Sequence, residues 1–91
     1  MKEVRAKIMG SVQGVFFRDF VKRTASSLGL FGYVQNNWDG SVELLTQGEE
    51  EKLKEFLEFL KEGPRMAKVE DMDIKWYDKI EYEYDRFSIA G

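Results

Sequence analysis

Residues 10–20 read GSVQGVFFRDF, two glycines four apart followed by three apolar residues and Arg18. The glycines fit a backbone that turns tightly or approaches something closely, and the apolar residues fit the start of a packed helix. Arg18 then falls near the first turn of that helix, where free N–H groups and the helix dipole already make the end positive. A cation there is locally unfavourable unless something negative joins it. A strand, a glycine-bearing loop and a helix N-terminus together form a cup of backbone N–H donors for a tetrahedral anion, and Arg18 closes it with a bidentate grip. The plainer reading is a tight connector. The stretch has neither the Gly-Lys-Ser/Thr ending of a nucleotide-binding loop nor the spacing G-x-G-x-x-G.

The rest of the composition narrows the chemistry. The 91 residues include no His and no Cys, which removes imidazole bases, phosphohistidine, thiolate nucleophiles, disulfides and thiolate metal sites. Fourteen Lys and Arg stand against 17 Asp and Glu, a net charge of −3 that argues against a general surface for nucleic acid or anionic membrane. An anion must therefore be caught locally. Asp71 and Asp73 resemble a paired-aspartate site, but both fall on the polar side of an alternating strand, and the Glu49–Glu51 run suits a helix N-terminus better than a metal. Phe16, Phe17, Phe20, Trp38 and Trp76 lack the basic-aromatic run of a sheet-face RNA binder, so core packing is their expected role. The N-terminus lacks the apolar core of a signal peptide and no stretch has the length of a membrane span; the expected compartment is the cytoplasm.

The elements that must hold Arg18 follow from periodicity. Val4, Ala6 and Ile8 alternate with Glu3, Arg5 and Lys7, a strand with one buried face that ends near Met9. Phe17, Phe20, Val21, Ala25 and Leu28 fall at helical spacing, and Gly29 is a stop. The stretches GYVQNN and SVELLTQ read as two strands joined through Asp39-Gly40. Leu53, Phe56, Leu57 and Leu60 form the stripe of a second helix, closed by Gly63-Pro64. Met72, Ile74 and Trp76 mark a fourth strand, and Tyr84, Phe87 and Ile89 a short final strand or strand-like tail. The order β-α-β-β-α-β predicts an α+β fold, the ferredoxin-like split β-α-β sandwich, with an antiparallel sheet and two helices on one face. One domain over residues 1–91 is expected, since the chain is too short for two ordinary ones.

Three stretches, GSVQGVFFR, LGLFGYVQNNWDGSVELLTQG and the terminal FSI, give the chain a specific resemblance to the acylphosphatase family. The family's signatures are G-x-V-Q-G-V-x-F-R and G-[YW]-V-x-N-x-x-x-G-x-V, and both match without a gap. The resemblance implies the fold already read from periodicity. It also implies hydrolysis of the carboxyl–phosphate bond of small-molecule acyl phosphates to a carboxylate and inorganic phosphate, with water as nucleophile. Carried over by position, the catalytic pair falls on Arg18 and Asn36, and the phosphate-binding loop on Ser11, Val12, Gln13, Gly14, Val15 and Phe16, together with Arg18. Arg18 and the loop would hold the phosphoryl group while the Asn36 amide holds the attacking water. The scheme requires no metal and no cofactor, and names no nucleic-acid or membrane partner. It leaves open the acyl group, the oligomeric state and the group that deprotonates the water. The alternative is a non-catalytic anion-binding module of the same fold, which turnover of an acyl phosphate discriminates.

Overall fold

The computed structural model describes residues 1–14 and 16–91. Seven elements run β1 (Lys2–Ser11), α1 (Phe17–Ser27), β2 (Phe31–Asn36), β3 (Val42–Gly48), α2 (Glu50–Glu62), β4 (Lys68–Asp78) and β5 (Phe87–Ile89). They form one sheet in the order β4-β1-β3-β2-β5, with β1 in the interior against β3 and β4.

Alternation decides which face of the sheet is covered. Val4, Ala6 and Ile8 of β1, Val34 of β2, and Val42 and Leu44 of β3 are buried, and they meet Phe17, Val21 and Ala25 of α1 and Leu53, Phe56, Leu57 and Leu60 of α2 in one core. Both helices thus lie on one face, as the periodicity predicts. Full burial of a side chain such as Phe17 or Phe56 stabilises the fold by roughly 1.5–3 kcal/mol. The helix α1 stops where Gly29 takes φ +70, which lets Leu30 N–H reach Ala25 O at 2.9 Å and Gly29 N–H reach Ser26 O at 3.2 Å. These two bonds satisfy carbonyls that the last turn would leave unpaired.

The sheet departs from the expected antiparallel arrangement at its last strand. Four strands pair antiparallel, but β5 runs parallel to β2, with Gly32 opposite Phe87 and Val34 opposite Ile89. The reason is directional. The strand β4 lies at the opposite edge and leaves the sheet at the end where β2 begins, so residues 79–86 cross the strand ends and the chain re-enters running with β2. Phe87 then caps the core, its ring 6.3 Å from that of Phe56 and steeply inclined to it.

Three aromatics do not take the core role expected of them. Phe16 is 84% exposed and Trp38 fully so, while Trp76 sits on the outer edge strand β4 and is also exposed. Phe17 is buried and Phe20 packs against the core as expected. The helical period continues only as far back as Phe17, because Phe16 precedes the helix in a left-handed conformation.

Candidate active site

The loop that leaves β1 is shaped at both ends by backbone geometry. At Gly10 the pairing of β1 with β4 shifts register, and a Cβ there would lie 2.1 Å from Lys68 O. Gly10 therefore serves the close approach of two strands rather than a ligand. Gly14 has φ +74 with nothing within 4 Å of the place a Cβ would occupy. Its conformation requires glycine, and its outer side is open.

Phe16 ends the loop at φ 61, the only non-glycine residue with positive φ among the described residues. A left-handed residue of this kind costs roughly 1–2 kcal/mol. It turns the chain directly into α1, where Phe20 N–H donates to Phe16 O at 3.0 Å. No side chain caps this helix end. The first-turn N–H groups and the positive end of the dipole therefore lie beside the loop, the arrangement that suits an anion.

Arg18 stands one residue into α1, half-buried, and among the described residues no carboxylate side chain pairs with it. Its Nη1 donates to Gly91 O. The same oxygen accepts the Asn36 backbone N–H at 3.1 Å. The two residues are thus brought together across α1 and β2 by the segment after β5, which also bonds Ala90 N–H to Val34 O at 2.8 Å. A guanidinium carries five N–H donors, so one bond to Gly91 leaves most of its fork for other acceptors. The Asn36 side-chain Oδ1 is buried and has no hydrogen-bond partner among the described residues. A buried polar atom without a partner is costly, which marks this oxygen as one that a water or ligand would satisfy.

The hairpin that carries Asn36 is knit to the loop. Gln13 Nε2 donates to Asn37 O at 2.8 Å and to Ser41 O at 2.9 Å. Within the turn, Asn37 Nδ2 donates to Ser41 Oγ at 3.0 Å, and Asp39 Oδ1 accepts from Ser41 N–H at 3.0 Å and from its hydroxyl at 2.5 Å. Lys7 reaches Asp39 Oδ2 at 2.8 Å. The hydrogen bond to the Lys7 ammonium, followed by those from Ser41, holds the Asp39 carboxyl well below the usual carboxylate range.

Val12, Gly14, Phe16, Phe17, Arg18, Asp19 and Ile89 line one cavity of about 260 Å³. Of the loop residues read from the sequence, Val12, Gly14 and Phe16 share this cavity with Arg18. Ser11 pairs with Lys68 in the sheet, Gln13 turns its side chain to the hairpin, and Val15 lies outside the described residues. Ile89 and Gly91 were not singled out by sequence reasoning, although the terminal FSI contains the former. A larger concavity of about 420 Å³ lies on the open face of the sheet, among Arg5, Lys7, Glu43, Asp73 and Lys75. Its charges are of both signs, and Arg5 and Lys7 already pair with Glu3 and Asp39 at 2.8 Å. It offers an anion less than the smaller cavity does.

Residues 4–89 match the family model described as Acylphosphatase. A protein of Caldanaerobacter subterraneus subsp. tengcongensis named acylphosphatase is 43% identical over 90 residues, 97% of each chain. Another of that name from Thermus thermophilus is 45% identical over 76 residues, 84% of this chain and 86% of that one. The crystal structure of acylphosphatase from Bacillus subtilis superposes with a TM-score of 0.95 at 40% identity, covering 100% of both chains.

Proposed function

Because the chain belongs to the acylphosphatase family, we propose that it hydrolyses small acyl phosphates at the site between Arg18, the loop 11–16 and Asn36. Residues 1–91 act as one domain in this reading, supported by the match over residues 4–89 and by the contiguous core. The observation that carries the assignment of the site is the shared oxygen of Gly91. An Arg18 guanidinium N–H and the Asn36 backbone N–H both point at it, and Asn36 Oδ1 lies buried without a partner among the described residues.

The Arg18 fork and the N–H groups at the start of α1 bind the phosphoryl oxygens and stabilise the charge that spreads over them as the bond breaks. Asn36 Oδ1 accepts a hydrogen bond from water and holds it for attack on phosphorus. The new P–O bond forms from the water oxygen. The bond to the acyl oxygen breaks, and its electron pair leaves with the carboxylate. Both water protons end on phosphate, so an acyl phosphate dianion and water give a carboxylate and dihydrogen phosphate. The leaving carboxylate is weakly basic and needs no general acid, which suits a chain with no His or Cys. A charged substrate of this kind does not cross a bilayer unaided, which supports a cytoplasmic location.

Turnover of benzoyl phosphate together with inorganic phosphate affinity tests the division of labour. Asn36→Ala should lower kcat roughly 10²- to 10³-fold, as loss of one positioned hydrogen-bonding group does. Its phosphate affinity should remain near that of the wild type. A variant with normal turnover, or one that loses phosphate binding as severely as Arg18→Ala, overturns the assignment. A wild-type protein that binds phosphate but hydrolyses no acyl phosphate is instead an anion-binding module.

A further inference from the structure

The groups assigned so far all address the phosphoryl half of the substrate, yet the cavity around Arg18 is largely apolar. Phe16 places its ring in solvent at 84% exposure, Ile89 is 42% exposed, and both line the cavity with buried Val12 and Phe17. An aromatic residue held in a left-handed backbone and turned outward is unfavourable for the chain alone on two counts, strain and exposed apolar surface. Core packing explains neither. Both features place apolar surface immediately beside the anion-binding groups. Resting on the acyl phosphate reading above, we propose that Phe16 and Ile89 form a shelf for the acyl group, and that the enzyme selects substrates whose acyl part is aromatic or branched and apolar.

Two further features fix the class. At about 260 Å³ the cavity falls just below the roughly 300–1,000 Å³ typical of sites for larger ligands, so a phosphoryl group and one compact acyl group fill it. Asp19 lines the same cavity, its carboxylate 2.8 Å from Arg23 and more than half exposed. That carboxylate disfavours acyl groups bearing a second negative charge. The shelf also explains how the last strand takes part in recognition. Pairing of β5 with β2 sets Ile89 opposite Val34, two residues before Asn36, so one wall of the acyl subsite is carried by the strand paired with the one that bears the water-holding group.

The test compares benzoyl phosphate with acetyl phosphate, and phenylphosphonate with methylphosphonate as inert binding probes measured by calorimetry. Phe16→Asn keeps a residue that tolerates the left-handed conformation but removes the ring, and Ile89→Ser removes the opposite wall. Each should lower the ratio of benzoyl to acetyl kcat/KM roughly tenfold, mainly through KM, and reduce the preference for phenylphosphonate in parallel. Phe16→Tyr and Ile89→Leu should restore most of the ratio. Equal losses on both substrates and both phosphonates would mean that these residues act only on loop structure, and the shelf would be wrong. Phosphonate discrimination without turnover of either acyl phosphate would retain the shelf and overturn the hydrolytic reading.

Discussion

Arg18 is intelligible because its position conflicts with its surroundings: a cation in the first turn of an uncapped helix, where the dipole repels it. Its type and place were readable from the sequence for that reason. Asn36 was not. A single asparagine at a strand end follows no spacing rule, and only the family resemblance singled it out; its significance lies in a buried Oδ1 that no neighbour among the described residues satisfies. Phe16 misled in the other direction, since an apolar residue beside a helical pattern reads as core, whereas the left-handed turn at φ 61 rotates it outward. At this scale the expected outcome concerns the shape of the cation. Arg18→Ala should weaken phosphate binding and lower kcat together, and Arg18→Lys should recover little of either, because a point charge cannot replace a planar fork. Kinetics with benzoyl phosphate and calorimetry with inorganic phosphate on both variants decide it. Near-complete rescue by lysine would show that charge alone suffices.

The hairpin β2–β3 and the loop after β1 behave as one unit because Gln13 joins them. Gln13→Ala leaves two backbone carbonyls, Asn37 O and Ser41 O, without that donor. Urea denaturation should show a loss of about 1–3 kcal/mol. The kcat for benzoyl phosphate should fall with it, because Asn36 precedes the released carbonyl by one residue; unaltered kcat would show that the hairpin holds Asn36 unaided. The same turn contains the source of a pH effect. Asp39 has its carboxyl depressed below the ordinary value of 3.8 by Lys7 and then Ser41, so the folded state binds its proton less readily than the unfolded chain does. The stabilisation is complete above that ordinary value and is lost as pH falls through the carboxylate range. Thermal melts between about pH 6 and 2 should show a gap between wild type and Asp39→Asn that closes on acidification; a constant gap would assign the effect to packing. The hairpin itself was legible from Asp39-Gly40 and flanking alternation. The tie to Gln13 was not, since it joins residues 24 and 28 apart in sequence through side-chain geometry alone.

Across the whole molecule, the four antiparallel strands and both helices were legible because each buries one face, and burial imposes a period. The parallel pairing of β5 was not, because a three-residue strand has almost no period and its partner is chosen by where residues 79–86 deliver it. One expectation belongs at this scale. Inorganic phosphate should raise the melting temperature in a concentration-dependent way, corresponding to about 2.7 kcal/mol at one hundred times its Kd, and exhaustive EDTA should leave both that shift and benzoyl phosphate turnover intact. Loss of activity in EDTA, restored by Mg²⁺, would overturn a site built from Arg18 and backbone donors. The interior position of β1 has a consequence in time rather than in energy. Lys2–Ser11 precedes every other element of the fold, yet one of its two ladders is made with Lys68–Asp78, the sixth of the seven elements. Closing so long a loop costs entropy before any contact rewards it. A chain emerging in sequence order can pair β1 with β3 first but leaves its other edge open until β4 follows, and so non-local a pairing slows folding relative to a fold built from local contacts.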